Sequence, residues 1–337
     1  MTIRTRNRRA RRSLLSAIAL GTVALLAACA TPVPEAEPDA ALAVPPAALT
    51  AAQSTRILDE VGEVLSTADA NLDASGLSAR LTGPALAIRS AEYIRAQATS
   101  GERAPVSIPT TAQTTIVPDT DTWPRTQMIV TEQPDDLQAP LLLVLVQESA
   151  REPYKLWGWA RLGQSVEMPA TAEVADGSEP VAADDSSLLL TPTDALAQYA
   201  DVLTNGDASA YAATFPADFY RTALTDARAQ TVSSLAAVAS VTETVAPVAD
   251  QVYALRTVDG GAIVVGQLTT VTTATLSQGS ITLSDPFDAA LAGKTSVTSN
   301  LVRTWTDVVA IYVPPSGGTG QVEVLAAEHA RTSVTGE

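Results

Sequence analysis

Apolar residues recur at helical spacing twice along the chain, and each time the period then changes to that of strands. The first run opens at Thr50-Ala51-Ala52-Gln53, a capping-box sequence. Ile57, Leu58, Val61, Val64 and Leu65 follow on one stripe, which predicts an amphipathic helix from about 51 to 67. A second helix is expected through Leu77, Leu81, Ala85, Leu86 and Tyr93. From about Pro105 alternation takes over. The stretches 111–117, 127–132, 141–148 and 154–162 are candidate strands, separated by segments containing Pro118, Pro124, Pro134, Pro140 and Pro153.

The pattern then begins again. Thr191 is a good N-cap with Pro192 at the first helical position, and Leu196, Tyr199, Val202 and Leu203 make the apolar stripe. A shift of 138 residues sets Leu58 on Leu196, Val64-Leu65 on Val202-Leu203, Leu77 on Phe215 and Ala85-Leu86 on Ala223-Leu224. Strands are expected at 241–245, 251–258, 262–276, 297–313 and 322–329. Asp259-Gly260-Gly261 between two β-rich runs is a hairpin signal, because these residues accept the positive φ of a tight turn. Between the halves, 166–187 is Ala, Asp, Glu, Ser and Pro with hardly a large apolar side chain, and reads as a linker or long surface loop.

Helices first and an antiparallel meander after them predict an α+β class, with helices on one face of a sheet. That order, in both halves, resembles the cystatin-like, nuclear-transport-factor-two-like fold, and so does the stretch Leu81-Thr82-Gly83-Pro84-Ala85-Leu86. The resemblance implies two tandem cystatin-like domains, each with N-terminal helices against a curved antiparallel sheet able to leave a cone-shaped pocket. The expected boundaries are 49–165 for the first domain, 166–189 for the linker and 190–333 for the second domain.

The residues before the first helix carry different information. Arg4, Arg6, Arg8, Arg9, Arg11 and Arg12 precede an apolar stretch from Leu14 to Ala28. At fifteen residues that stretch is short of the roughly 20 needed to span a bilayer, and the order is that of a bacterial signal peptide over 1–28. Leu26-Ala27-Ala28-Cys29 resembles the lipobox of bacterial membrane lipoproteins. The resemblance implies cleavage before Cys29 and a diacylglyceryl anchor on its sulfur, with palmitate-type acyl chains, at the outer face of the cytoplasmic membrane. Two acyl chains meet the requirement for stable anchoring, which one chain does not. Arg11-Arg12-Ser13-Leu14-Leu15 also resembles a twin-arginine export signal, so the general and twin-arginine routes are both open. Five prolines between Ala30 and Ala48 make 29–48 a lipidated Cys with a stiff tether, which at ~3.1 Å per residue reaches roughly 60 Å. Only two lysines beside abundant Ala, Arg, Val and Thr resemble the usage of GC-rich actinobacterial genomes.

Composition narrows the chemistry. The chain has 37 acidic and 21 basic residues, six of the latter before Cys29 and none of the former there. From Cys29 onward 15 basic side chains face 37 acidic ones, a formal charge of −22. Such a field repels phosphate backbones, and no concentrated basic patch offsets it, so nucleic acid is not an expected partner. A single Cys excludes a disulfide framework and a cysteine zinc cluster, and a single His excludes most histidine-built sites.

Familiar motifs fail on particular residues. Asp69-Ala70-Asn71-Leu72-Asp73 opens like a calcium-binding EF-hand loop, but Ala74 stands where Gly is needed and Arg80 where a bidentate Glu belongs. Acidic side chains there, and Asp207 at the matching place, are expected to cap helices. Gly293-Lys294-Thr295 ends like a phosphate-binding loop whose first glycine is replaced by Asp288. No Gly-x-Ser-x-Gly elbow occurs, and neither Lys155 nor Lys294 has a serine three residues before it. His329, among alanines near the last strand's end, reads as structural. Carboxylate pairs such as Asp135-Asp136 and Asp184-Asp185 read as solvated charge.

The aromatics are more suggestive. Trp157 and Trp159 alternate with Tyr154, Leu156, Ala160 and Leu162, so both faces of that strand are apolar, as in a central strand. One face should meet the helices and the tryptophans the other domain, a pocket or a stacking ligand, with Trp305 a counterpart in the second half. The chain thus reads as a non-enzymatic binding or assembly module of the cell envelope, with no cofactor, no metal and no catalytic set. The alternative is a carrier or sensor of a small apolar or lipid-like ligand in a sheet–helix pocket. A third reading, an enzyme with an Asp as general base, needs a buried Asp facing a pocket.

Overall fold

The computed structural model describes residues 45–134 and 138–337. The expected signal peptide, Cys29, most of the expected tether and the pair Asp135-Asp136 lie outside the described residues. The fold is mixed α+β, with one curled antiparallel sheet and helices against it. Helices α1 (Ala51–Asn71) and α2 (Gly83–Ala98) precede strands β1 (Ala112–Ile116), β2 (Arg125–Thr131), β3 (Leu141–Gln147) and β4 (Lys155–Leu162). Helices α3 (Pro192–Asn205) and α4 (Phe219–Leu235) precede β5 (Ala239–Arg256), β6 (Ala262–Leu276), β9 (Asn300–Val313) and β10 (Glu323–Gly336). Between β6 and β9 lie the two-residue strands β7 (Ile281–Thr282) and β8 (Ser296–Val297), which pair with each other around the short helix α5 (Pro286–Ala292).

Local chemistry starts these helices where the sequence places them. Thr50 Oγ1 accepts from the Gln53 amide at 3.3 Å, and Gln53 Oε1 takes the Thr50 amide at 2.8 Å, which closes the capping box of α1. Helix α1 runs to Asn71, past the expected end near 67, because no breaker intervenes before Leu72 turns left-handed at φ 48°. Asp73 then caps a short 3₁₀ turn through the Ser75 amide, as expected of that acidic loop. Thr191 caps α3 through the Asp194 amide at 3.0 Å. In the β5–β6 hairpin Gly260 takes φ +85°, and Asp259 Oδ1 holds the Gly261 amide.

The strands of both halves share one eight-stranded sheet in the order β1-β2-β3-β4-β10-β9-β6-β5. The junction is narrow: β10 meets β4 only at Ala326↔Leu162 and Ala327↔Arg161. The described residues form one compact unit. The 166–189 segment lies along strands of both halves, with bridges from Ser178 to Pro118, Pro180 to Leu255 and Leu188 to Pro315. Expected strands 241–245 and 251–258 are one strand, β5, interrupted only by a change of register between Pro247 and Val252.

Strand alternation divides the second half's side chains between two cores. Ile263, Val265, Val308 and Ala310 join the core of α1, α2 and β2–β4, while Ala262, Val264, Val309 and Ile311 face α3. Helices of the two halves therefore cover opposite faces of β6 and β9. Sheet curl is visible in one contact. Four strand spacings separate β4 from β5, ~19 Å in a flat sheet, yet the Trp157 and Tyr253 rings meet at 4.9 Å. Among the described residues, no helix is long and apolar enough to cross a membrane.

Candidate functional site

The sequence singles out Trp157, Trp159 and Trp305, and the structure separates them. Trp157 and Trp159 are buried on β4. The Trp157 Nε1 donates to Gln251 Oε1 at 2.6 Å and its ring stands edge-on to Tyr253, so this side chain meets the second half of the chain. A Cβ at Gly83, whose φ is +52°, would come within 2.8 Å of the same indole, so the start of α2 is fitted to that ring. Trp159 lies under the guanidinium of Arg89, 5.8 Å from the ring centroid. Arg89 is itself fully buried, paired with Glu92 at 2.8 Å and held by the Val106 carbonyl at 2.8 Å.

Trp305 is half-buried and lies elsewhere, parallel to the His329 imidazole, with centroids 5.3 Å and planes 7° apart. Around that ring the structure assembles groups that are far apart in the sequence. Antiparallel pairing sets His329 of β10 opposite Asp307 of β9, and Nδ1 contacts Asp307 Oδ1 at 2.6 Å. Asp307 is completely buried, and its second oxygen accepts from Thr270 Oγ1 at 2.5 Å. The Tyr220 hydroxyl of α4 lies 3.3 Å from Nδ1. Burial pushes the Tyr220 phenol well above its ordinary pKa, and the Asp307 charge adds to that shift. In the neutral ring Asp307, an acceptor, holds the proton on Nδ1 and leaves a lone pair at Nε2. Nε2 has no partner among the described residues.

The neighbouring residue points to the other face. Glu328 is half-buried against α2 and makes no ion pair within 4 Å among the described residues. Burial first, and then the charge of Glu92, push its carboxyl up to about 7, against a smaller opposing pull from Arg161, His329 and Trp159. The Trp159 indole N–H makes no hydrogen bond of ordinary geometry among the described residues, but it is near enough to Glu328 to favour the charged form.

Both residues open on one cleft because β10 pairs with β4 no further than Ala327. Beyond it, the free edge of β10 lies beside α2 and α5, and a cavity of about 130 Å³ extends among Glu92, Arg95, Arg103, Phe287, Glu328 and His329. Its outer wall is an ion-pair lattice. Asp285 pairs with Arg103 at 3.0 Å and Arg331 at 3.2 Å, and buried Asp288 pairs with Arg303 at 2.8 Å and also with Arg331. The Arg103–Asp285 pair links the two halves of the chain. The guanidiniums of Arg103 and Arg331 lie over the Phe287 ring.

A more open groove of about 710 Å³ runs past Phe215, Asp218, Phe219 and Tyr312. Asp218 Oδ1 caps α4 at the Tyr220 and Arg221 amides and accepts from Tyr199. Its Oδ2 is buried without a hydrogen-bond partner among the described residues, and burial pushes the carboxyl above its ordinary pKa, so an Asp with a buried oxygen does face a pocket here. No group of three or more His, Cys, Asp or Glu fit to hold a metal occurs among the described residues. The cleft at His329, where an imidazole, a carboxyl and several guanidiniums converge, is the candidate site with the most ionisable groups.

Sequence reasoning reaches only part of it. Trp305 is singled out, while His329 reads as structural and Asp307, Glu328, Arg103 and Tyr220 carry no motif. The alternation of Arg303, Trp305 and Asp307 was the one local signal that these side chains share a face. No curated protein and no solved structure matches the chain. The profile of a family described as Domain of unknown function (DUF8094) matches residues 45–336, which is all of the folded unit but its last residue, and the chain belongs to that family.

Proposed function

We propose that this chain is a lipid-anchored extracytoplasmic protein, tethered through Cys29 to the outer face of the cytoplasmic membrane, and that it works as a binding module of the cell envelope. The observation that carries the binding part is the cleft at the free edge of β10, where, among the described residues, His329 Nε2 has no hydrogen-bond partner and the half-buried Glu328 carboxyl has no ion pair within 4 Å. Polar groups left in that state at a concave seam are what a ligand satisfies. Binding is preferred to catalysis because no hydroxyl or thiol among the described residues is hydrogen-bonded to Nε2, as a nucleophile activated by this imidazole would be.

On this reading the two halves are tandem cystatin-like modules fused through β4 and β10. Its support is the repeated order of helix, 3₁₀ turn, helix and four main strands, interrupted in the second half by β7, α5 and β8, and the burial of Leu58 and Leu196, Leu65 and Leu203, and Leu77 and Phe215 in equivalent places. The alternative of a carrier for an apolar ligand draws less support, because Trp157 and Trp159 are packed and polar-bonded within the protein.

Native mass spectrometry of the full chain released from membranes tests the binding reading. A discrete added mass on the wild type that is lost from His329→Ala supports it. Turnover of an envelope substrate by the purified protein, or a bare chain under all loading conditions, sinks it. Cys29→Ser should move the protein from the membrane to the soluble extracytoplasmic fraction and abolish incorporation of labelled palmitate.

A further inference from the structure

The geometry points to a small zwitterion as the ligand of the cleft, an ammonium and an anion a few bonds apart, as in an α-amino acid. This inference rests on the binding reading above and names the ligand class of that same site. The ammonium end follows from two acceptors that line the cleft, the Glu328 carboxyl, which has no ion pair within 4 Å among the described residues, and the His329 Nε2 lone pair, which has no hydrogen-bond partner among them. An ammonium carries three donors and no acceptor, the complement of a wall of acceptors.

The anionic end follows from guanidinium groups only partly used. Arg103 gives Nη1 to Asp285 at 3.0 Å, and its Nε and Nη2 have no partner among the described residues. Arg95 gives Nη2 to Glu92 and the Ala104 carbonyl and Nε to the Arg103 carbonyl, which leaves Nη1. A carboxylate accepts from both, in the planar geometry that guanidinium favours. A lone cation would leave the spare N–H groups of Arg95 and Arg103 without an acceptor, and a lone anion would meet Glu328. A divalent metal would lack a third ligand among the described residues. A zwitterion satisfies each wall with the charge it needs.

Size narrows the class. A cavity of ~150 Å³ admits benzene, with six heavy atoms. The cleft at about 130 Å³ therefore suits glycine or alanine, with five or six. An ethanolamine phosphate, free or as a lipid headgroup, has the same charges and would project from the mouth.

The chain has a single histidine, so one set of imidazole ¹⁵N resonances reports on the cleft without assignment. The full chain, purified from membranes in detergent and labelled at His, is titrated with L-alanine, glycine, O-phosphoethanolamine, ethylamine and acetate. We expect L-alanine to shift the Nε2 resonance saturably, and Glu328→Gln and Arg103→Gln each to weaken it at least tenfold with the methyl spectrum unchanged. Ethylamine and acetate should fail to saturate. Tighter binding of O-phosphoethanolamine than of alanine would keep the zwitterion and assign its source to a headgroup. Ethylamine or acetate binding as tightly as alanine overturns the inference. So does a silent response to all five probes while a co-purifying mass is lost from His329→Ala, and that result leaves the binding reading standing. No ligand by either method overturns both.

Discussion

Replacing Glu328 by Gln isolates the cost of ionising one carboxyl in the cleft, and the structure sets its size and sign. Desolvation against α2, reinforced by Glu92, raises the Glu328 pKa from 4.5 in the open chain to about 7. A raised folded pKa means that the native state holds the proton more tightly than the unfolded one. The associated stability is complete below the ordinary carboxylate range and is lost as pH rises through about 7. At ~1.4 kcal/mol per pH unit the full effect is about 3 kcal/mol, and some 2 to 3 kcal/mol of it falls between pH 5 and 8. Gln occupies the same volume and has no proton to lose. Urea unfolding of both proteins at pH 5, 6, 7 and 8 should therefore give curves that nearly coincide in relative stability at pH 5. The variant should then gain steadily, to about 2 to 3 kcal/mol more at pH 8. Glu92 and His329 are present in both proteins, so the difference between the curves reports on Glu328 to first order. A constant offset across the four pH values would refute the reasoning, since it would mean that Glu328 ionises in the fold as readily as in the open chain. A saturating ammonium ligand should flatten the wild-type slope, because it stabilises the carboxylate.

Three further substitutions probe the frame that builds the cleft. A Cβ at Gly266 of β6 would overlap Leu196 Cδ1, so Gly266→Ala should lift α3 from the sheet and cost about 1 to 3 kcal/mol in denaturant unfolding. Trp157→Ala removes a buried ring from between the halves and strands Gln251, for about 3 to 5 kcal/mol, with one cooperative transition retained because both halves share the sheet. Asp288→Ala leaves Arg303 and Arg331 partly buried without their shared carboxylate. It should destabilise by about 3 to 5 kcal/mol, read as a lowered thermal midpoint.

Local signals were legible because their physics is local. Thr50 and Gln53 satisfy each other within one turn, Thr191-Pro192 sets the start of α3, and Asp259-Gly260-Gly261 needs only its own backbone freedom to turn. The burial of both faces at Trp157 and Trp159 also follows from alternation. Sheet membership did not follow, because two pairs, Ala326↔Leu162 and Ala327↔Arg161, join the halves, and alanine carries no register information. Helix α5 shows the same limit in another form. Asp285-Pro286 is a helix-start signal, with Asp285 accepting the Phe287 amide at 3.0 Å, but seven residues are too few for a helical period to show. Lys294, which imitates a phosphate-binding loop, is instead used to hold the Gly336 carbonyl at 2.7 Å.

The cleft was illegible for the same reason that it exists. A strand that stays paired along its whole length has no free edge, and its alternate residues face separate cores. Beyond Ala327, β10 keeps β9 on one side and loses β4 on the other, so Glu328 and His329, which point to opposite faces, both become reachable around one edge. Asp307 then acts through position alone: buried at the register point opposite His329, it fixes the ring and turns Nε2 away from itself. Helix α2 brings Glu92 and Arg95 from the first half, and α5, clamped by Asp285 and Asp288, brings Phe287 from the second. Each of these side chains is ordinary in the sequence. The site is a property of where the two halves stop pairing, which is why shortening the free edge should close it. Extending β4–β10 pairing by one residue is expected to silence ligand-induced shifts at His329.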